Sequence, residues 1–167
     1  MYELKRITAD AVPAALEKAM RYRLLNEPLE AESICLDILE LDTQNRDVLV
    51  TLLLAITDQF DRNLGERVHR AHAVLERISD AYGRLYYHGI INERKAKTHL
   101  RRGGPGSGHH AFTLLRKAMD LFEQAAPLSP ENNDDAVLRW NTCARIIMTH
   151  AEVEPEPEGP PRPVMLE

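Results

Sequence analysis

The sequence predicts an all-α fold of about seven helices, and three observations carry that prediction. Apolar residues recur at three- and four-residue steps along nearly the whole chain, while no stretch of strand length alternates apolar and polar residues. Ala and Leu supply most of the apolar mass and aromatics make up only 5% of residues, a balance that favours helices over sheets. Pro, Gly, Asn and Asp then cut the periodic sequence into seven stretches. At 167 residues, 44% hydrophobic and 28% charged, the chain fits one soluble domain with a modest core.

The first helix starts behind a Thr8 or Asp10 cap with Pro13 in its opening turn, carries Leu16, Ala19, Met20 and Leu24 as its stripe, and stops near Asn26. Pro28 opens the second, to about Leu41, with Ala31, Ile34, Cys35, Ile38 and Leu39 at helical spacing. Asn45 caps the third, from about Arg46 to Phe60, whose Val48, Leu49, Leu52, Leu53 and Ile56 imply burial on more than one side. The fourth runs from about Leu64 to Ser79 around Val68, Ala71, Leu75 and Ile78. The fifth, about Ala81 to Leu100, ends in cations that suit the helix dipole. Arg101 to Gly108 (RRGGPGSG) must break the helix and reads as a loop. The sixth, about His109 to Ala126, presents Phe112, Leu115, Ala118, Met119, Phe122 and Ala125. The seventh follows a turn at Pro130 and an Asn133 or Asp134 cap, with Val137, Trp140, Cys143, Ala144 and Ile147 as its stripe and Trp140 expected in the core. Residues 151–167 hold half of the prolines and read as a disordered Pro/Glu-rich tail after a helical domain at 1–150.

Charge is uneven. The total is -5, but residues 1–61 sum to -6, 62–117 to +8, 118–150 to -3 and 151–167 to -4. A basic middle between acidic ends implies either an anion-binding surface or contacts among the segments themselves. No run approaches the roughly 18 to 20 apolar residues of a membrane span, and Met1 to Asp10 lacks the apolar core of a signal peptide. The sequence therefore predicts a cytoplasmic protein, with Cys35 and Cys143 reduced and buried.

An internal repeat refines the reading. Ala118, Phe122, Ala125 and Pro130 share their spacing with Ala31, Cys35, Ile38 and Thr43, each set in a helix that ends at a turn, and Ala71, Leu75 and Ile78 form a partial third copy. The pattern resembles the second helix of the tetratricopeptide repeat. First-helix matches are Ala15, Ala19 and Tyr22, then Leu85 and Gly89 with Asn92 in place of the aromatic, then Leu49, Leu53 and Ile56 in apolar character alone. The copies lie 40 and 47 residues apart, beyond the roughly 34 usual for the repeat. The resemblance implies an α-solenoid of three stacked hairpins and a capping helix, with a concave groove lined by the first helix of each pair. Groove residues on that reading include Arg23, Thr51, Asp58, Tyr87, Asn92, Arg139 and Asn141. The Lys and Asn set with which some family members clamp a C-terminal carboxylate is replaced by Leu16, Met20 and Thr51, so chaperone-tail binding is not implied.

Chemical motifs point away from catalysis. GGPGSGHH has the two-glycine spacing of a phosphate loop, but His109 and His110 stand where a Lys and a Ser or Thr belong. His69 with His72, or His109 and His110 with His99, lack a third metal ligand fixed by sequence. Ser107 lies on a glycine-rich loop, whereas catalysis needs preorganised groups. The sequence thus predicts a non-catalytic, cofactor-free and metal-free module that binds a protein or peptide, with Arg94, Lys95, Lys97, Arg101 and Arg102 favouring an acidic segment. Two alternatives are a nucleic-acid or phosphate ligand on the basic stretch, disfavoured by few stacking aromatics, and self-association through the Val164 to Leu166 end or an exposed hairpin.

Overall fold

Helix starts and stops follow from local chemistry. The computed structural model describes residues 2–157, which form α1 (Val12–Leu24), α2 (Pro28–Leu39), α3 (Arg46–Thr57), α4 (Leu64–Glu76), α5 (Ala81–Arg102), α6 (Ser107–Ala125) and α7 (Asp135–Thr149). Short 3-10 turns precede α1 (Ala9–Ala11) and follow α6 (Ala126–Leu128), and no strand occurs among the described residues. Pro13 and Pro28 stand in first turns, where their missing N–H costs no helix bond. The Asn45 side chain accepts the Val48 N–H at 3.2 Å, and Asp80 accepts the Gly83 N–H at 2.7 Å. The Thr8 side chain makes no cap bond, and neither does Asp134.

The glycine-rich break is shorter than expected. Arg101 and Arg102 remain in the last turn of α5, beside the dipole's negative end, and α6 already begins at Ser107. Gly103, Gly104 and Gly106 take positive φ, the conformation that reverses the chain there.

Each helix packs on its chain neighbours, and α1 also touches α3. Two apolar clusters result. One joins α1 to α4, with Ile91 of α5, around Cys35, Ile38, Leu53 and Ile56, and the other joins α5, α6 and α7 around Ile90, Leu115, Phe122 and Cys143. Leu54 and Tyr87 pack against both. The small residues of the repeat, Ala31, Ala71 and Ala118, have no exposed surface. Close approach is tightest between α5 and α6, where a Cβ on Gly89 would lie 2.4 Å from the Phe122 ring. Burial also pushes both cysteine thiols up to about 12, and both cysteines are free.

Two expectations near the C-terminus change. On α7 the expected stripe of Trp140, Cys143, Ala144 and Ile147 packs on the second cluster, with Trp140 half-buried at its edge, but Val137 is 46% exposed and Ala136 is the residue turned inward in its place. Beyond α7, Val153 is 3% exposed and joins the second cluster, so packing extends past residue 150. The Val164 to Leu166 end lies outside the described residues.

Candidate functional site

One face of the molecule is organised by ion pairs that link odd-numbered helices. Arg23, in the last turn of α1, donates from Nε to Asp58 Oδ2 at 2.8 Å, and Asp58 is the C-cap of α3. Arg94 on α5 donates to the other Asp58 oxygen and also to the Leu54 carbonyl at 3.1 Å and the Thr57 hydroxyl. The Leu54 carbonyl already accepts the Asp58 N–H and the Thr57 hydroxyl, each at 2.9 Å, so Arg94 adds a charged donor to a carbonyl in the last turn of α3. Burial pulls the Arg94 pKa down, and the Asp58 charge opposes that pull. Further along α5, Arg101 pairs with Asp61 at 2.9 Å.

Glu93 is the deepest member. Its side chain is fully buried, and Oε1 accepts from Lys97 Nζ and from Arg139 of α7, the latter at 3.3 Å. Oε2 is buried without a hydrogen-bond partner. A fully desolvated carboxylate is tolerated because two cations converge on its other oxygen. Burial disfavours the charged form of Arg139, but Glu93 and Tyr86 outweigh it and raise its pKa.

These groups border an open cleft of about 480 Å3. Arg94, Lys97, Arg101 and Arg139 line it against Asp58, Asp61 and Glu93, with the Thr57 hydroxyl among them. Cations outnumber carboxylates, and Arg23 behind Asp58 adds one more. Such a surface offers planar, multidentate donors suited to carboxylates.

Of the residues proposed from sequence, Arg23, Asp58, Arg94, Lys97, Arg101 and Arg139 converge here. Thr51 and Asn92 do not. Thr51 is 6% exposed and donates to the Asp47 carbonyl, and Asn92 is 3% exposed and donates to the His88 carbonyl, so both serve their own helices. Tyr87 packs half-buried between the two clusters, and burial pushes its hydroxyl up to about 12. Arg102 donates to the Phe60 and Asp61 carbonyls, Asn141 is half-buried on α7 outside the cleft, and Lys95 lines a different cleft. Glu93, Thr57 and Asp61 were not anticipated. A signal for Glu93 existed, since it stands amid Ile90, Ile91 and Ala96 and four residues before Lys97.

Part of the basic middle is neutralised by the acidic first third. Arg67 reaches Glu32 Oε2 of α2 at 2.9 Å, Gln59 donates to the same oxygen at 2.8 Å, and Arg70 holds Oε1. Burial alone would raise the Glu32 pKa, but these bonds and charges bring it below the usual carboxylate range. Among the described residues, no group of three or more His, Cys, Asp or Glu is placed to hold a metal, and no helix is long and apolar enough to cross a membrane. No family model matches the chain, and no curated protein or solved structure matches it.

Proposed function

We propose that the chain is a non-catalytic, cytoplasmic interaction module of tetratricopeptide-like, solenoid type that binds an acidic segment of a partner protein in the charged cleft. The observation that carries the reading is the ion-pair chain itself, in which Arg23, Asp58, Arg94, Glu93 and Arg139 draw α1, α3, α5 and α7 onto one surface. That is the surface a stack of helical pairs offers to a ligand. Burial of Ala31, Ala71 and Ala118 and the Gly89–Phe122 approach agree with paired helices. Excess positive charge steers an acidic segment toward the cleft, and the fork geometry of arginine aligns its carboxylates.

The test is capture from nuclease-treated lysate by wild type and by Arg101→Glu. Arg101 is 56% exposed, and its partners are the surface carboxylate of Asp61 and the hydroxyl of buried Thr98, which keeps its own bond to the Arg94 carbonyl, so the exchange leaves the apolar core intact. A protein captured by wild type and lost with Arg101→Glu supports the reading. Capture of nuclease-sensitive material alone would replace it with a nucleic-acid ligand.

A further inference from the structure

The opposite face of α5 carries a second charged cleft. Arg94, Lys97 and Arg101 project to one side of the helix, and the 100° step per residue turns Lys95 and His99 nearly to the other. There, Lys95 and His99 of α5, His109, His110 and Thr113 of α6, and Glu156 from beyond α7 border a space of about 340 Å3. The His99 and His110 rings stack at 5.8 Å. Burial first, then the charges of His110, Lys95 and Arg102, holds His99 below the ordinary histidine range.

The chain's own residues 152–157 run across this place. Val153 is their anchor at 3% exposure, and the His109 Nδ1–H donates to the Glu154 carbonyl at 3.0 Å. The track is built for backbone, since a Cβ on Gly108 would lie 1.9 Å from the Glu152 carbonyl oxygen. Glu152, Glu154 and Glu156 alternate with Val153, Pro155 and Pro157, and the prolines favour an extended strand without internal hydrogen bonds. Apart from Val153 the segment is exposed.

We propose that the cleft between α5 and α6 is a binding site for an extended acidic peptide with prolines between its glutamates, and that residues 152–157 are the ligand it holds in cis. The segment is a strap fastened by one buried side chain and one hydrogen bond to a histidine, so it opens without unfolding the helices. A second peptide of the same chemistry enters only when the strap lifts. This site lies apart from the cleft of Arg94 and Glu93 and stands without the function proposed there.

Fluorescence anisotropy of a labelled peptide, Ala-Glu-Val-Glu-Pro-Glu-Pro, against the full chain at low salt tests the site, with limited proteolysis after residue 150 reporting strap release. Val153→Asp unseats the strap and leaves its track empty. If the wild-type strap is seated nine-tenths of the time, the variant binds the peptide about tenfold more tightly than wild type, because the competent fraction rises by that factor. Adding Lys95→Glu removes the gain. Gly108→Ala also releases the strap but gains no peptide binding, because the new methyl blocks the peptide backbone as it blocks the strap. If Val153→Asp lowers the helical circular dichroism signal, Glu154→Lys with Glu156→Lys, both at exposed positions, loosens the strap by charge with the same expected gain. A released strap with no tighter peptide binding, a strap no more cleavable than in wild type, or equal gains in Val153→Asp and Gly108→Ala would each overturn the proposal.

Discussion

Two glycines in helices, Gly65 and Gly89, illustrate how the same residue type takes opposite roles. Replacing a helical glycine by alanine gains up to about 1 kcal/mol from backbone entropy. A Cβ on Gly65 meets nothing within 4 Å, so Gly65→Ala raises the urea midpoint. On Gly89 the methyl meets the fully buried Phe122 ring, and overpacking of roughly 1–3 kcal/mol outweighs the propensity gain, so Gly89→Ala lowers it. Equal shifts in the two variants would contradict the tight α5–α6 approach. Glu93 is the other residue whose surroundings decide its effect. Lys97→Met with Arg139→Met leaves a fully buried carboxylate without a cation and costs about 3 kcal/mol, and the cost shrinks when Glu93→Leu is added. A thermodynamic cycle from urea denaturation measures the coupling.

At the scale of elements, the seam between α4 and α5 is sensitive to acid. His72 of α4 meets His88 of α5 edge to face at 5.3 Å. Burial first, then His72, Lys117 and Lys95, depresses the His88 pKa from the ordinary 6.5 to about 4, and His72 is depressed by burial, Lys95 and Lys117 against a weaker pull from Glu76. Between those pH values the unfolded chain binds a proton at this position that the folded chain refuses. Stability therefore falls as pH drops from 6.5 toward 4, and the histidine contributes no pH dependence above that window. The difference in urea midpoint between pH 7 and pH 5 is expected to be smaller in His88→Gln than in wild type; an unchanged difference would place the acid sensitivity elsewhere. Helix ends were the readable part of the elements. Pro13, Pro28 and Asn45 announce their helices by local rules, whereas Arg101 and Arg102 looked like loop residues beside four glycines and stay helical because their carbonyl and carboxylate partners lie across the fold.

For the whole molecule, two apolar clusters that share α5, through Ile91 in one and Ile90 in the other, and meet at Leu54 and Tyr87 predict that α6 and α7 open before the helices of the first cluster. Leu115 has no exposed surface in the second cluster, and Leu115→Ala removes about 2–5 kcal/mol of packing. Amide exchange is expected to speed up in α6 and α7 well before α2 and α3. Uniform acceleration would mean a single cooperative core. Of the twelve anticipated partner-binding residues, Asp58, Arg94, Lys97, Arg101 and Arg139 line one cleft and Arg23 stands behind it, because they were visible in the sequence as charges. Thr51 and Asn92 went astray because a polar side chain that bonds its own helix backbone is compatible with burial, and sequence spacing does not show which way it turns.

Seven helices, the Asn45 cap, the first-turn prolines Pro13 and Pro28 and the buried small positions Ala31, Ala71 and Ala118 were determined by the sequence alone, since periodicity and capping act within a few residues along the backbone. Tertiary structure alone decided which charges meet. Arg23 and Asp58 are 35 residues apart, Arg94 and Asp58 36, and Arg139 and Glu93 46, so their pairing depends on how the helices stack. The same stacking put Arg94 and Lys95, adjacent in sequence, in separate clefts on the two sides of α5, and laid Val153 against α6 where Gly108 leaves room for its backbone.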